Sequence, residues 1–202
     1  MNKVIKVLLI EAMGREAYQI QRWLSLADDA FEVEWVPDLM RGVDRLRAKG
    51  IDVVLLNLNL PDSQGVETFA RLQEQVSDVP VVVLADEQRD AIALDGIPAE
   101  CGSLSEVLRD SVAKHQARVE LYRRRRLGRS EQVIGFWDAN EGAGITTTAF
   151  DIAVEMAMRG HASILEETRL PSGKPVCHVH QRRAVNGSFA RSGAPSEITC
   201  LF

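Results

Sequence analysis

Apolar runs of strand length alternate with segments of helical period through the first 120 residues. Residues 4–10, 32–36, 52–57 and 81–85 read as strands. Residues 15–26 and 40–49 carry apolar side chains at helical spacing, the second segment opened by Asp38 as an N-cap, and a third helix over 66–75 starts just after Gly65. This alternation is the pattern of βα units on a parallel sheet. With right-handed connections, five such units give an α/β fold, a doubly wound five-stranded parallel sheet in the order 2-1-3-4-5. Its functional crevice lies at the carboxyl ends of the strands. Glu11, Asn57 and Ala85 fall at those ends.

The rhythm changes after residue 85. Residues 85–96 have room for about three turns of helix, and 97–102 read as a weak fifth strand containing Pro98. A long last helix is expected from Ser103 or Ser105 to about Arg126. Along it Leu108, Val112, His115, Val119 and Tyr122 recur at spacings of 4, 3, 4 and 3, a seam suited to pairing with another helix. Two readings follow: a homodimer through this helix, or a first half packed on the sheet with the rest a solvated linker. A second unit then reads as strand 133–137, loop 138–145, helix 146–159 and strand 162–166. From Pro171 onward periodicity fades, and a poorly ordered tail is expected.

Charge places a junction between these parts. Residues 1–122 hold 13 Lys and Arg against 21 Asp and Glu, net −8, whereas 123–202 hold 11 against 8, net +3. The expected division is therefore a domain over 1–122, a basic linker over 123–131, a partial βαβ unit over 132–170 and a tail over 171–202. Arg123, Arg124, Arg125 and Arg126 lack aromatic interleaving and adjoin an acidic domain, which argues for a solvated linker over a nucleic-acid partner. No apolar run approaches the ~18 residues of a membrane span, no secretory signal is evident, and Cys101, Cys177 and Cys200 are an odd set at unrelated spacings. A cytoplasmic protein without membrane contact is expected.

The segment 53–65, running from buried strand through Asn57 and the Asn59, Leu60, Pro61, Asp62 turn to Gly65, resembles the receiver domain of bacterial two-component response regulators. Its flanking strands 4–10 and 81–85 share the likeness. The resemblance covers roughly residues 3–120 and implies the flavodoxin-like receiver fold. It also implies a phosphoacceptor aspartate where Asn57 stands, and a cation-holding acidic pair at Glu11 and Ala12. The switch hydroxyl falls at Ala85, and the phosphate-pairing lysine near Cys101 or Gly102. An amide is neutral and is no nucleophile toward a phosphodonor, alanine is no ligand, and neither Cys101 nor Gly102 replaces a lysine. The expectation is a pseudo-receiver that keeps the scaffold without the switch chemistry. A working receiver would need another carboxylate, such as Asp62, in place of Asn57.

Residues 133–148 resemble the deviant P-loop of the MinD/ParA family of ATPases, including pilus-assembly relatives that join a receiver-like domain to such an ATPase. Gly142, Gly144 and Thr146 fit a phosphate cradle, but Ile145 and Asn140 stand where the resemblance implies lysines, and Glu141 adds a like charge. Cys177, His178 and His180, with only Cys200 to help, fall short of a four-ligand zinc set. The chain is thus expected to hold no metal or cofactor and to catalyse nothing. Protein contacts with signalling or pilus and polar assembly partners are its expected mode of action. The alternative is a nucleotide-responsive MinD/ParA-like assembly protein regulated by its receiver-like half.

Overall fold

The computed structural model describes residues 4–27, 31–76, 78–84, 101–125, 131–137, 145–159, 161–169, 175–183 and 198–201. The apolar runs become β1 (Ile5–Ile10), β3 (Val53–Asn57) and β4 (Val81–Leu84), and the alternating Phe31–Val36 segment becomes β2. Helices α1 (Gly14–Ala27), α2 (Leu39–Arg47) and α3 (Val66–Gln75) follow the expected bounds closely. Asp38 caps α2 by accepting from the Arg41 N–H at 2.8 Å, satisfying a donor the helix itself leaves open. Gly65 begins α3 at φ +60, in the left-handed region that favours glycine.

Strands β2, β1, β3 and β4 are parallel neighbours in the expected order. The edge strand β2 is blunted by charge, with Glu32 paired to Lys6 and Glu34 to Arg45. The fifth strand differs from the expectation. It is β5 (Glu131–Trp137), parallel to β4 in the register Val81 to Ile134 through Leu84 to Trp137. Cys101 and Gly102 belong instead to the start of α4 (Cys101–Arg125), and residues 97–100 lie outside the described residues. The reason is burial. Val133, Ile134 and Phe136 of β5 are apolar and buried, so the strand needs cover on both faces, which a sheet interior supplies and a proline-bearing segment cannot.

The sheet also does not stop at five parallel strands. Helix α5 (Ile145–Met158) leads to β6 (His161–Arg169), followed by β7 (Pro175–Arg183) and β8 (Ile198–Leu201). The described strands form one eight-stranded mixed sheet, β2-β1-β3-β4-β5-β7-β6-β8, with β7 antiparallel to both β5 and β6. Within the segment expected as a poorly ordered tail, residues 175–183 and 198–201 are strand, and the others lie outside the described residues. Val176, Cys177, His178, Val179 and His180 are buried, a short run whose burial comes from neighbours on both sides rather than from its own periodicity. The charge step at residue 123 falls within α4.

Two cores flank the sheet. One joins α2, α3 and α5 through Leu39, Leu46, Phe69, Leu72, Ile152 and Met156 over Leu8, Ile10, Leu56, Val83 and Phe136. The other joins α1 and α4 through Trp23, Leu24, Leu104 and Leu108 over Leu9, Leu55 and Val82. Arg159 ties the end of α5 to α3 through Glu67 and Glu74 while also pairing with Glu155.

Helix α4 rides so close over β5 that a Cβ on Gly135 would lie 2.6 Å from Ser111 Oγ and 3.4 Å from Val82 Cγ2. Gly135→Ala is expected to lower stability by about 1–3 kcal/mol through overpacking, read as a reduced urea midpoint. An unchanged midpoint would mean that α4 does not cover β5.

Candidate functional site

The carboxyl ends of β1 and β3 bring two polar side chains together inside an apolar frame. Glu11, just past β1, is 0% exposed, and Asn57, the last residue of β3, is 6% exposed. Backbone pairing fixes Glu11: its N–H donates to Val36 O at 3.1 Å, and its carbonyl accepts from Trp35 Nε1 at 2.8 Å. Its carboxylate accepts from the Met13 N–H at 3.1 Å. The Asn57 amide completes the site. Its Nδ2 lies 2.9 and 3.0 Å from the two Glu11 oxygens, while its Oδ1 accepts from the Asn59 N–H at 2.9 Å. The Asn59 N–H takes the amide oxygen, so the NH₂ group must face the carboxylate.

This arrangement can stabilise a buried anion with neutral donors. A charge taken out of water is costly unless hydrogen bonds replace its hydration, and here the amide does so across the two strands. Ala12 is half-buried and packs against the core; it offers no oxygen. Asp62 is committed elsewhere, because its two oxygens accept from the Leu39 and Met40 N–H groups at 3.0 and 2.9 Å, at the start of α2. Ala85 lies outside the described residues, as do Asn140, Gly142 and Gly144. Ile145 opens α5. Thr146 is exposed, its Oγ1 3.8 Å from the Sγ of buried Cys177, whose thiol burial pushes up.

The helix seam divides. Leu108 and Val112 pack into the core shared with α1, His115 is half-buried, and Val119 is 40% exposed. The side chain of Tyr122 lies outside the described residues. The first half of the helix therefore packs on the sheet.

A second polar cluster had no counterpart in the sequence reading beyond the weighed Cys177, His178 and His180 run. His178 is fully buried between β6 and α4, with Nε2 3.2 Å from Asp110 Oδ2 and Nδ1 3.1 Å from Lys114 Nζ. His180, two residues on along β7, meets Glu166 at 2.7 Å. The available signal was the two-residue spacing of the histidines on a strand, facing Asp110 and Lys114 one helical turn apart. Among the described residues no group of three His, Cys, Asp or Glu is placed to hold a metal ion, and no helix is long and apolar enough to cross a membrane.

A doubly wound sheet with a polar pair at the ends of its first and third strands defines the class of protein. The profile of the response regulator receiver domain matches residues 7–117, more than half of the 202-residue chain; the chain belongs to that family. It is 34% identical over 123 residues to the KDP operon transcriptional regulatory protein KdpE of Escherichia coli, covering 55% of this chain and 52% of KdpE. It is 31% identical over 135 residues to the transcriptional regulatory protein CseB of Streptomyces coelicolor, covering 66% of this chain and 53% of CseB. The chain thus spans about half the length of these relatives. A signal receiver domain of an HD domain-containing protein from Pseudomonas fluorescens Pf-5 matches at 18% identity and a TM-score of 0.48, covering 59% of this chain and 95% of that one.

The Glu11 and Asn57 pair makes opposite demands on two substitutions. Asn57→Ala removes both amide hydrogen bonds to a buried carboxylate and is expected to cost about 1–3 kcal/mol. Asn57→Asp sets a second carboxyl against Glu11, so its penalty should grow as pH rises from 5 to 7, since like charges favour the protonated form. Urea denaturation at both pH values checks this; a penalty that does not depend on pH would contradict the geometry.

Proposed function

We propose that this chain is a signalling module of the receiver family that does not accept a phosphoryl group and acts through protein contacts, without catalysis. The observation that carries the reading is the amide of Asn57 on the Glu11 carboxylate. Phosphoryl transfer to a receiver needs an anionic acceptor and a cation bridging it to the phosphate. Here a neutral amide stands in the acceptor's place and its NH₂ already occupies the carboxylate's two oxygens. Ala12 supplies no second carboxylate, and Asp62 is engaged at α2. A ligand shifts a conformational equilibrium only by its differential affinity for the two states; with no phosphate or cation taken up, phosphate does not switch the module.

Partner contacts are assigned to the surface beyond Val112 on α4, where Val119 is exposed and the helix runs on to Arg125. The same surface is the place for self-association, if the chain dimerises. Partners would be signalling or pilus and polar assembly proteins of the cytoplasm. The MinD/ParA-like reading keeps one support, the order β5, α5, β6 with Thr146 in the first turn of α5. Against it stand Ile145 in the lysine position and the Thr146 hydroxyl directed toward Cys177.

The test is an NMR titration of the full chain with magnesium and beryllofluoride, following the amides of Glu11, Met13, Asn57 and Asn59. An unchanged spectrum is expected. Saturable shifts at those amides would overturn the reading and return the chain to phosphate-driven switching.

A further inference from the structure

Lys114 reaches from α4 to three acceptors at once: Asp110 Oδ2 at 3.1 Å, His178 Nδ1 at 3.1 Å and Thr168 Oγ1 at 3.3 Å. An ammonium has three hydrogens and no acceptor capacity, so this contact set is complete. It also assigns the imidazole: Nδ1 must be the bare, accepting nitrogen, and the hydrogen sits on Nε2, which lies 3.2 Å from Asp110 Oδ2 in an electrostatic contact not aligned as a hydrogen bond. One neutral, fully buried ring thereby links α4 to β7, while Thr168 links the same lysine to β6. The next histidine along the strand, His180, faces Glu166 on β6, with its ring stacked 6.3 Å from that of His178.

We propose that His178 is a proton-operated latch that seats the middle of α4 on strands β6 and β7 when neutral and releases it when protonated. A second ring proton would sit on Nδ1 and point at the Lys114 ammonium 3.1 Å away, turning a hydrogen bond into a contact between like charges with no acceptor between them. Among the described residues the charged groups facing the ring are Asp110 and Lys114 from α4 and Glu166 from β6. The two carboxylates favour the protonated ring; burial and Lys114 oppose it, and burial dominates, so His178 titrates below the ordinary histidine range. The sign follows. Above about pH 6.5 the ring is neutral whether α4 is seated or free. Below it the free state binds the proton and the seated state does not, so seating weakens as pH falls. Leu104, Leu108 and Val112 lie in the core with α1, which confines release to α4 beyond Val112. That includes the exposed surface around Val119, so the latch sets how firmly this surface is presented. The latch rests on the β7 contacts and is independent of the Asn57 reading.

Hydrogen exchange of the full chain, corrected for intrinsic rates, tests it. Between pH 7.5 and 5.5, protection of α4 amides beyond Val112 is expected to fall about tenfold, the linkage limit for one proton at a reference of about 6.5, while β1 and β3 hold. His178→Asn keeps an acceptor near Lys114 without titrating, and should abolish the pH dependence. His178→Gln, equally unable to titrate, gives a second reading if the first variant does not fold. No loss of protection in the parent chain, or an equal loss in either variant, overturns the latch.

Discussion

Inner strands that are apolar on both faces can exist only where both faces are covered, and most of this structure follows from that constraint. Residues 7–10 of β1, all of β3 and β4, and residues 133–136 of β5 are buried. They call for helices above and below, supplied by α1 and α4 on one side and by α2, α3 and α5 on the other. The same constraint exiles polar side chains from the strand bodies to their ends. Glu11 and Asn57 therefore meet where β1 and β3 give out, in a place dry enough that the hydrogen bonds between them matter.

The legibility of the fold tracks the range of the interactions that make it. Up to residue 84 each element owes its form to local pattern: the buried run of β3, the Asp38 cap, the glycine before α3. All of these can be read along the chain. The fifth strand could not be read the same way. Residues 97–102 and 131–137 are both short segments with apolar residues that sequence alone could not rank; it is 131–137 that pairs with β4, with Val133, Ile134 and Phe136 buried. The strand β7 is harder still, since Cys177, His178, Val179 and His180 show no clean alternation of polarity. They are buried because β5 and β6 lie on either side. The charge step near residue 123 was a true property of the chain and a poor guide to the sheet. Surface charge follows solvent exposure, whereas strand pairing follows the core.

The site was legible in its residues but not in its bonding. Sequence alone places an amide where a carboxylate is expected, and only the geometry adds that the amide is in use, with its nitrogen on Glu11 and its oxygen on the Asn59 backbone. An unsatisfied asparagine would be a loss to the fold; a satisfied one is a structural member. The helix seam behaves similarly. Leu108 and Val112 share the spacing of a pairing helix, and the same spacing serves a helix lying on a sheet, so periodicity could not separate the two.

The two buried polar centres solve one problem with different groups, and the difference sets how each can respond. The Glu11 carboxyl group is held by the Met13 N–H and a neutral amide. Neither donor titrates in the ordinary range, and the contact joins β1 to β3. His178 is neutral and is held by a cation and a carboxylate. Its own proton count decides whether the nitrogen facing Lys114 accepts or repels. A joint of that kind is conditional by construction of its chemistry, whatever the overall stability of the sheet. The sheet thus carries a joint of non-titrating donors at the ends of β1 and β3 and, in the latch we propose, a titratable seat for α4 at β6 and β7. If the module no longer answers to phosphate, the movable part of its surface lies on α4, away from the strand ends where receivers carry their switch.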